Sequence, residues 1–306
     1  MGESQVAVVL GATGFVGGAV CEAFSAAGYD VVAVARNRTP RVSAHPFLPL
    51  DVAAAPPGEI ARTLERWRAG VVVNATGGWL ATDEANRHHH VTLVENLLAG
   101  LTLVGSPPRV VQVGSIHEYG PVPRGEPIHE GIPPRPLTAY ARTKLAGSEA
   151  VLRAARLGRV DGVVLRAVNV CGPHITPASF LGSVLARLRA LPPSRRLELR
   201  IGDDLRDFLD VRDLADAVVR AAKAPVSGRV VNVGRGVAVA IREMVSLLVA
   251  AAGFPPGVLE ERGEPGESRG DGWTMADIRL AGELLGWAPR IGLDESVRDM
   301  WETAVR

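Results

Sequence analysis

Ser115, Tyr140 and Lys144 are residues whose types and spacing could do chemistry together. Tyr140 and Lys144 stand four apart, so on a helix both lie on one face within reach of a shared ligand. A phenol with its ordinary pKa of about 10 exchanges protons poorly at neutral pH. An ammonium beside it favours the phenolate and brings that pKa down. Ser115 could hydrogen-bond a substrate oxygen and hold it against the phenol hydroxyl. Such a set moves a proton to or from an oxygen whose carbon gains or loses a hydride. Of 34 basic residues only Lys144 and Lys223 are lysines, so a lysine at Tyr140 plus four is not background.

These side chains need a scaffold that brings a hydride donor to them, and the start of the chain supplies one. Residues 5–10 are an apolar run with three valines that reads as a buried parallel strand. The run breaks at Gly11, helical spacing follows over 15–27 and stops at Gly28, and 30–35 is a second β-branched run. Strand, glycine-rich turn, helix, strand is the unit that binds a dinucleotide. Gly11 allows the sharp turn, Gly14 the approach to a pyrophosphate, and Gly17 the packing of helix on strand. The free N–H groups of the helix face the phosphates. The positive charge of an oxidised nicotinamide bound there adds to that of Lys144 in favouring the Tyr140 phenolate.

An NAD site usually ends its second strand on an acid, for the ribose 2′-hydroxyl. Ala35 stands there instead, and Arg36, Arg38 and Arg41 follow. Guanidinium suits a 2′-phosphate, so the loop reads as a preference for NADPH, with Arg36 first and Arg38 second. Asp51, at the end of a short strand over 48–52, is placed to meet the adenine amino group.

Further along, the pattern predicts a helix at 59–69, a strand at 71–74, a helix at 83–101 and a strand at 109–114 with Ser115 at its carboxyl end. A Pro/Gly-rich loop over 120–136 leads to the helix opened by Thr138. Strands at 160–166, 197–201 and 229–233 alternate with helices at 179–191, 211–224 and 240–252. The fold class is therefore α/β, a Rossmann doubly wound parallel sheet with a smaller C-terminal lobe. Residues 1–172 with about 205–234 form the nucleotide-binding part, and 173–204 with 235–306 the substrate lobe. His88, His89 and His90 are consecutive, point about 100° apart on a helix and cannot converge on one ion, so they read as helix surface and no metal is expected.

The 306 residues carry a net charge of +1, which gives no argument for nucleic acid or an anionic membrane as partner. Cys21 and Cys171 lie in unrelated contexts and form no framework. With no leader and no run of membrane length, the chain reads as a cytoplasmic protein.

Together these motifs resemble the extended short-chain dehydrogenases/reductases, the NAD-dependent epimerase/dehydratase family. The resemblance runs over nearly the full length: Gly11-x-x-Gly14-x-x-Gly17, Asp51-Val, Asn74-Ala, Ser115 four residues before Tyr119-Gly, Tyr140-x-x-x-Lys144, Leu165-Arg-x-x-Asn-Val-x-Gly-Pro173, Arg206-Asp-Phe-Leu-Asp-Val and Leu285-Gly-Trp-x-Pro289. It implies a cofactor site at Gly11, Thr13, Gly14, Phe15, Val16, Gly17, Arg36, Arg38, Asp51, Val52, Ala75, Tyr140 and Lys144. It implies catalysis by Ser115, Tyr140 and Lys144 with His117, and a nucleotide-sugar site at Gly78, Trp79, His117, Asn169, His174, Arg206 and Arg269. Arg206 and Arg269 would face the sugar nucleotide's pyrophosphate. A homodimer through the helices of 83–101 and 140–157 is implied as well.

Within the family, the 4,6-dehydratases carry an Asp-Glu pair directly after the Ser/Thr, where this chain has Ile116 and His117. The 4-epimerases keep bound NAD and an acidic second-strand end. A net reductase remains, most similar to the 4-ketoreductases of dTDP-4-keto-6-deoxyhexoses in deoxysugar and antibiotic biosynthesis. His117 and His174 occupy positions where epimerase-reductases carry Cys and His, so an epimerising activity stays open. So does an NADP-sensing regulatory protein of this fold, which would need no phenol–ammonium pair.

Overall fold

The computed structural model describes residues 5–192, 195–261 and 272–305. Its strands are β1 (Val6–Leu10), β2 (Asp30–Ala35), β3 (Phe47–Pro49), β4 (Ala69–Asn74), β5 (Arg109–Ser115), β6 (Gly162–Ala167), β7 (Asn169–Cys171), β8 (Leu197–Leu199), β9 (Leu205–Asp210), β10 (Val230–Val233), β11 (Ala238–Ala240) and β12 (Leu259–Glu261). The helices are α1 (Phe15–Ala26), α2 (Pro57–Arg66), α3 (Asp83–Arg87), α4 (Leu93–Leu101), α5 (Ala139–Arg156), α6 (Phe180–Arg189), α7 (Val211–Lys223), α8 (Ile241–Ala251), α9 (Arg279–Leu285) and α10 (Leu293–Val305).

Seven strands form one sheet in the order β10-β6-β5-β4-β1-β2-β3, and every pairing in it is parallel. Continuous apolar runs such as Val6–Leu10 and Gly162–Ala167 are buried along almost their whole length, because helices cover both faces. One face packs Val20 and Phe24 of α1 and Leu214 and Val218 of α7 against the sheet. The other packs Ile60 and Leu64 of α2, Leu97 and Leu101 of α4, and Val151 of α5. The strand order reverses between β1 and β4. A crevice therefore opens at their carboxyl ends, where ligands of such sheets bind.

A third core gathers Leu185 and Leu188 of α6, Met244 and Leu248 of α8, and Val297 and Met300 of α10. Beside it lie a three-stranded sheet, β11-β9-β7, and the pair β12-β8. The seven-stranded doubly wound sheet is the one expected. Some elements differ. The helix read at 59–69 ends at Arg66, because Arg68 turns to φ +48° and Ala69 already pairs with Val6. Strand β9 escaped the pattern because Arg206, Asp207 and Asp210 interrupt its apolar run, yet all three are buried. Asp207 is made tolerable there by N–H groups from Arg235, Gly236 and Ala276.

Candidate active site

Helix α5 begins at Thr138, whose hydroxyl accepts the Ala141 N–H. The cap fixes the first turn and with it Tyr140, and Lys144 follows one turn later. Ser115, at the end of β5, lies close enough to the Tyr140 hydroxyl to oppose the rise of its pKa. Tyr140, Lys144 and Ser115 line one cavity with Ala75, Gly77 and Val168. The sequence named these three side chains, and the fold brings them together.

Their electrostatics differ from the expectation of a lowered phenol pKa. Burial pushes Tyr140 up to about 12, and the Ser115 hydroxyl only partly offsets it. Lys144 is buried and brought down to about 8, with Glu118 opposing the fall. Its ammonium donates to the Val113 carbonyl at 2.6 Å and to the Thr76 carbonyl at 3.5 Å. Among the protein's own groups, then, burial dominates, and the phenol is protonated at neutral pH.

Beneath this set lies a carboxylate that motif reading passed over. Glu118 is fully buried; its Oε1 accepts the Ser115 N–H at 2.8 Å and the Ser148 hydroxyl at 2.9 Å. Its Oε2 accepts Arg166 Nε at 2.7 Å, and the Arg166 guanidinium lies over the Tyr119 ring at 4.3 Å. The signal was present, since Ser at 115 and Glu at 118 have the spacing of a capping box.

On the open side Trp79 stacks on Tyr140, ring centroids 4.2 Å apart and 16° from parallel, with 40% of the tryptophan exposed. His117 meets Trp79 edge-on at 5.8 Å, with Asn169 close enough to oppose the fall of its pKa. Burial and then Arg206 hold His117 down at about 4, so it is neutral at physiological pH. Arg206 is itself buried and donates to Asp204 at 2.8 Å. Trp79 and His117 thus stand against the Tyr140 ring, Asn169 and Arg206 act on His117, and Gly78 lies next to Trp79 in sequence.

His174 is placed otherwise. It is exposed at φ +63°, and the charged groups that act on it are Arg41 and Glu22 beside α1. Arg269 falls outside the described residues.

The glycine turn fits a dinucleotide. Gly11 has φ +75°, and a Cβ on Gly17 would come 2.0 Å from the Gly11 carbonyl oxygen, so neither position admits a side chain. Gly14 caps α1 without a side chain, leaving the first-turn amides and the helix dipole for an anion. Thr13, Phe15 and Val16 flank it, and Val16 also lines the Tyr140 cavity. Arg36 and Arg38 are exposed after β2, Arg38 donating to the Ser43 carbonyl at 3.4 Å. Asp51 accepts the Ala53 N–H, and its second oxygen lies 3.6 Å from His88 Nε2. Val52 beside it is buried.

His90 corrects the reading of three surface histidines. Residues His88–Thr92 form a π-helical turn between α3 and α4, which carries His90 inward until only 3% is exposed. Its Nδ1 is 2.8 Å from Thr143 Oγ1. The same hydroxyl is within hydrogen-bond reach of the carbonyls of Ala139 and Tyr140. The ring meets Tyr140 edge-on at 5.4 Å, and Gly77, at φ +106°, leaves it room: a Cβ there would lie 2.7 Å from Nε2. Nothing in composition signals this; it follows from one extra residue in a helical turn. Among the described residues no three His, Cys, Asp or Glu side chains group as a metal would require.

A model of the NAD dependent epimerase/dehydratase family matches residues 7–234, spanning the glycine turn, Ser115 and the Tyr140–Lys144 pair. The chain belongs to this family. Two curated family relatives stand out. A dTDP-6-deoxy-L-talose 4-dehydrogenase (NAD(P)(+)) of Kitasatospora kifunensis is 38% identical over 96% of this chain and 93% of its own. A GDP-6-deoxy-D-mannose reductase of Pseudomonas aeruginosa is 31% identical over 69% of this chain and 71% of its own. Among solved structures, RMD from Pseudomonas aeruginosa complexed with NADPH superposes with a TM-score of 0.82 at 25% identity, covering 98% of this chain and 97% of that one. Among the described residues no helix is long and apolar enough to cross a membrane.

Proposed function

We propose that this protein is an NADPH-dependent reductase of the C4 ketone of a nucleoside-diphosphate, in particular dTDP, 4-keto-6-deoxyhexose. The observation that carries the reading is the convergence of Ser115, Tyr140 and Lys144 on one cavity at the carboxyl ends of parallel strands. A ketone being reduced needs a proton at its oxygen as that oxygen becomes an alkoxide, and Tyr140, which holds its proton at neutral pH, is the group in the cavity placed to give it. Ser115 holds that oxygen by its hydroxyl. Lys144, charged below about pH 8, places positive charge beside the developing alkoxide.

The bound dihydronicotinamide would supply the hydride. The turn from Gly11 to Gly17, Asp51, Val52 and Ala75 would hold the dinucleotide, with Tyr140 and Lys144 at its nicotinamide end. Arg36 and Arg38 would favour a 2′-phosphate where Ala35 replaces an acid. Trp79, His117, Asn169 and Arg206 would take the sugar nucleotide. The division into a nucleotide-binding part and a smaller substrate lobe, and self-association through α4 and α5, belong to the same reading.

Two relatives support reduction over elimination of water, while UDP-glucose 4-epimerases stand among the relatives as well. The talose relative is named for oxidation at C4, the reverse of the step proposed, and the mannose relative is named a reductase. Elimination would need an acid after Ser115, but Ile116 there is buried in the core. His117, held neutral by burial and Arg206, offers no charge at physiological pH for α-proton exchange.

The test is an assay with dTDP-4-keto-6-deoxyglucose, offering NADPH and NADH separately. The expected result is stoichiometric oxidation of NADPH, absent in Tyr140→Phe. No net oxidation, together with NAD released only on denaturation, would replace this reading with an epimerase.

A further inference from the structure

Of the arginines that follow β2, the third is the one that lies on the glycine turn. Arg41 leaves the short 3₁₀ turn Pro40–Val42 and runs beside α1. Its Nη1 donates to the carbonyl of Gly14, the N-cap of α1, at 3.3 Å. Its Nε stands 3.7 Å from a carboxylate oxygen of Glu22, one turn beyond Gly18. Only 14% of the side chain is exposed, whereas Arg36 and Arg38 face solvent. Arg38 is occupied with the Ser43 carbonyl and the Phe47 ring. Gly18 makes the space, since a Cβ there would come 2.2 Å from Arg41 Nε and 2.5 Å from Cζ.

A guanidinium withdrawn from water to this degree calls for a full negative partner. Glu22 is a poor one, because it is 57% exposed and its contact is long. The uncapped amides of α1 and this guanidinium together make a cationic corner beside the turn that only an anion completes.

We propose that Arg41 clamps the diphosphate of the dinucleotide against the N-terminal amides of α1, and so sets affinity for both nicotinamide dinucleotides alike. A 2′-phosphate would lie beyond Ala35 and concern Arg36 instead. The proposal rests on the reading of α1 as the dinucleotide site.

The test is equilibrium binding of NADPH and of NADH, followed by nicotinamide fluorescence, to wild type, Arg41→Met, Gly18→Ala and Arg36→Ala. Arg41→Met is expected to raise both dissociation constants about tenfold or more and by the same factor, the loss of one charge-assisted contact. Gly18→Ala displaces the guanidinium while favouring the helix. It is expected to weaken both dinucleotides in parallel while the melting temperature holds, which keeps the proposal testable should Arg41→Met fail to fold. Arg36→Ala is expected to weaken NADPH alone. Unchanged constants in both Arg41→Met and Gly18→Ala overturn the clamp, and so does a loss confined to NADPH, which assigns Arg41 to the 2′-phosphate. Binding of neither dinucleotide by the wild type removes the cofactor reading itself, and this proposal with it.

Discussion

Glu118 holds Ser115 from below: its Oε1 accepts the Ser115 N–H at 2.8 Å, and the Ser115 hydroxyl in turn accepts the His117 N–H at 3.3 Å. The serine that faces Tyr140 is thus fixed through a buried carboxylate tied to Arg166. Removing one member of such a pair strands the other charge in the core. Glu118→Ala should therefore lose about 3–5 kcal/mol, read from urea denaturation. Arg166→Met should cost a similar amount, and a double variant less than the sum. Additive losses would mean that the two do not act as a unit.

Tyr140→Phe keeps the ring and removes the proton. Carbonyl reduction should fall by about 10²–10⁴-fold with dinucleotide binding and melting temperature unchanged. A variant retaining near wild-type turnover would move the acid to another residue.

The pH profile of reduction follows from the shifts in the cavity. Lys144 is lowered by burial to about 8 and Tyr140 raised to about 12, so the first charge lost on the alkaline side is the ammonium. The rate should therefore break downward near pH 8 while the phenol is still protonated. In Lys144→Arg, whose guanidinium keeps its proton, residual activity should lose that break. The same break persisting in Lys144→Arg would contradict the assignment.

Acid stability carries a separate sign. Burial lowers His90 to about 3 and His117 to about 4, against an ordinary value of 6.5. The unfolded chain therefore binds protons first, and stability present above pH 6.5 is lost as pH falls through this window toward 4. His90→Gln, which cannot protonate, should flatten the fall in melting temperature between pH 6.5 and 4. An unchanged slope would show that other groups carry the acid sensitivity.

Trp79 lies flat on Tyr140 yet is 40% exposed, so little core depends on it. Trp79→Ala should leave the melting temperature within a few degrees and raise KM for the sugar nucleotide more than it lowers kcat. A fall in kcat at unchanged KM would instead make the indole a support for the phenol.

The parallel sheet could be read from the sequence because burial on both faces writes uninterrupted valine runs, as in Val6–Leu10. Ser115, Tyr140 and Lys144 could be read because fixed spacing on a helix and a strand end survives folding. Glu118 was not read as part of the site, since its partners Ser148 and Arg166 lie 30 and 48 residues away. Arg41 shared its loop with Arg36 and Arg38, and only the space beside Gly18 singles it out. The downward shift expected for Tyr140 counted Lys144 and an oxidised nicotinamide, whereas among the protein's own groups desolvation dominates.

The π turn at His88–Thr92 is also a point where the chain can change length. Deleting one residue there would restore an α turn and rotate the preceding segment by about 100°. Leu93, Leu97 and Leu101 would stay in the core. Asn86, which ties itself to Leu80 through both its amide and its carbonyl, would swing away and take the Trp79 loop with it. Single-residue insertions and deletions at this turn would then re-cut the pocket wall and spare the scaffold, a short evolutionary route between relatives that differ in substrate.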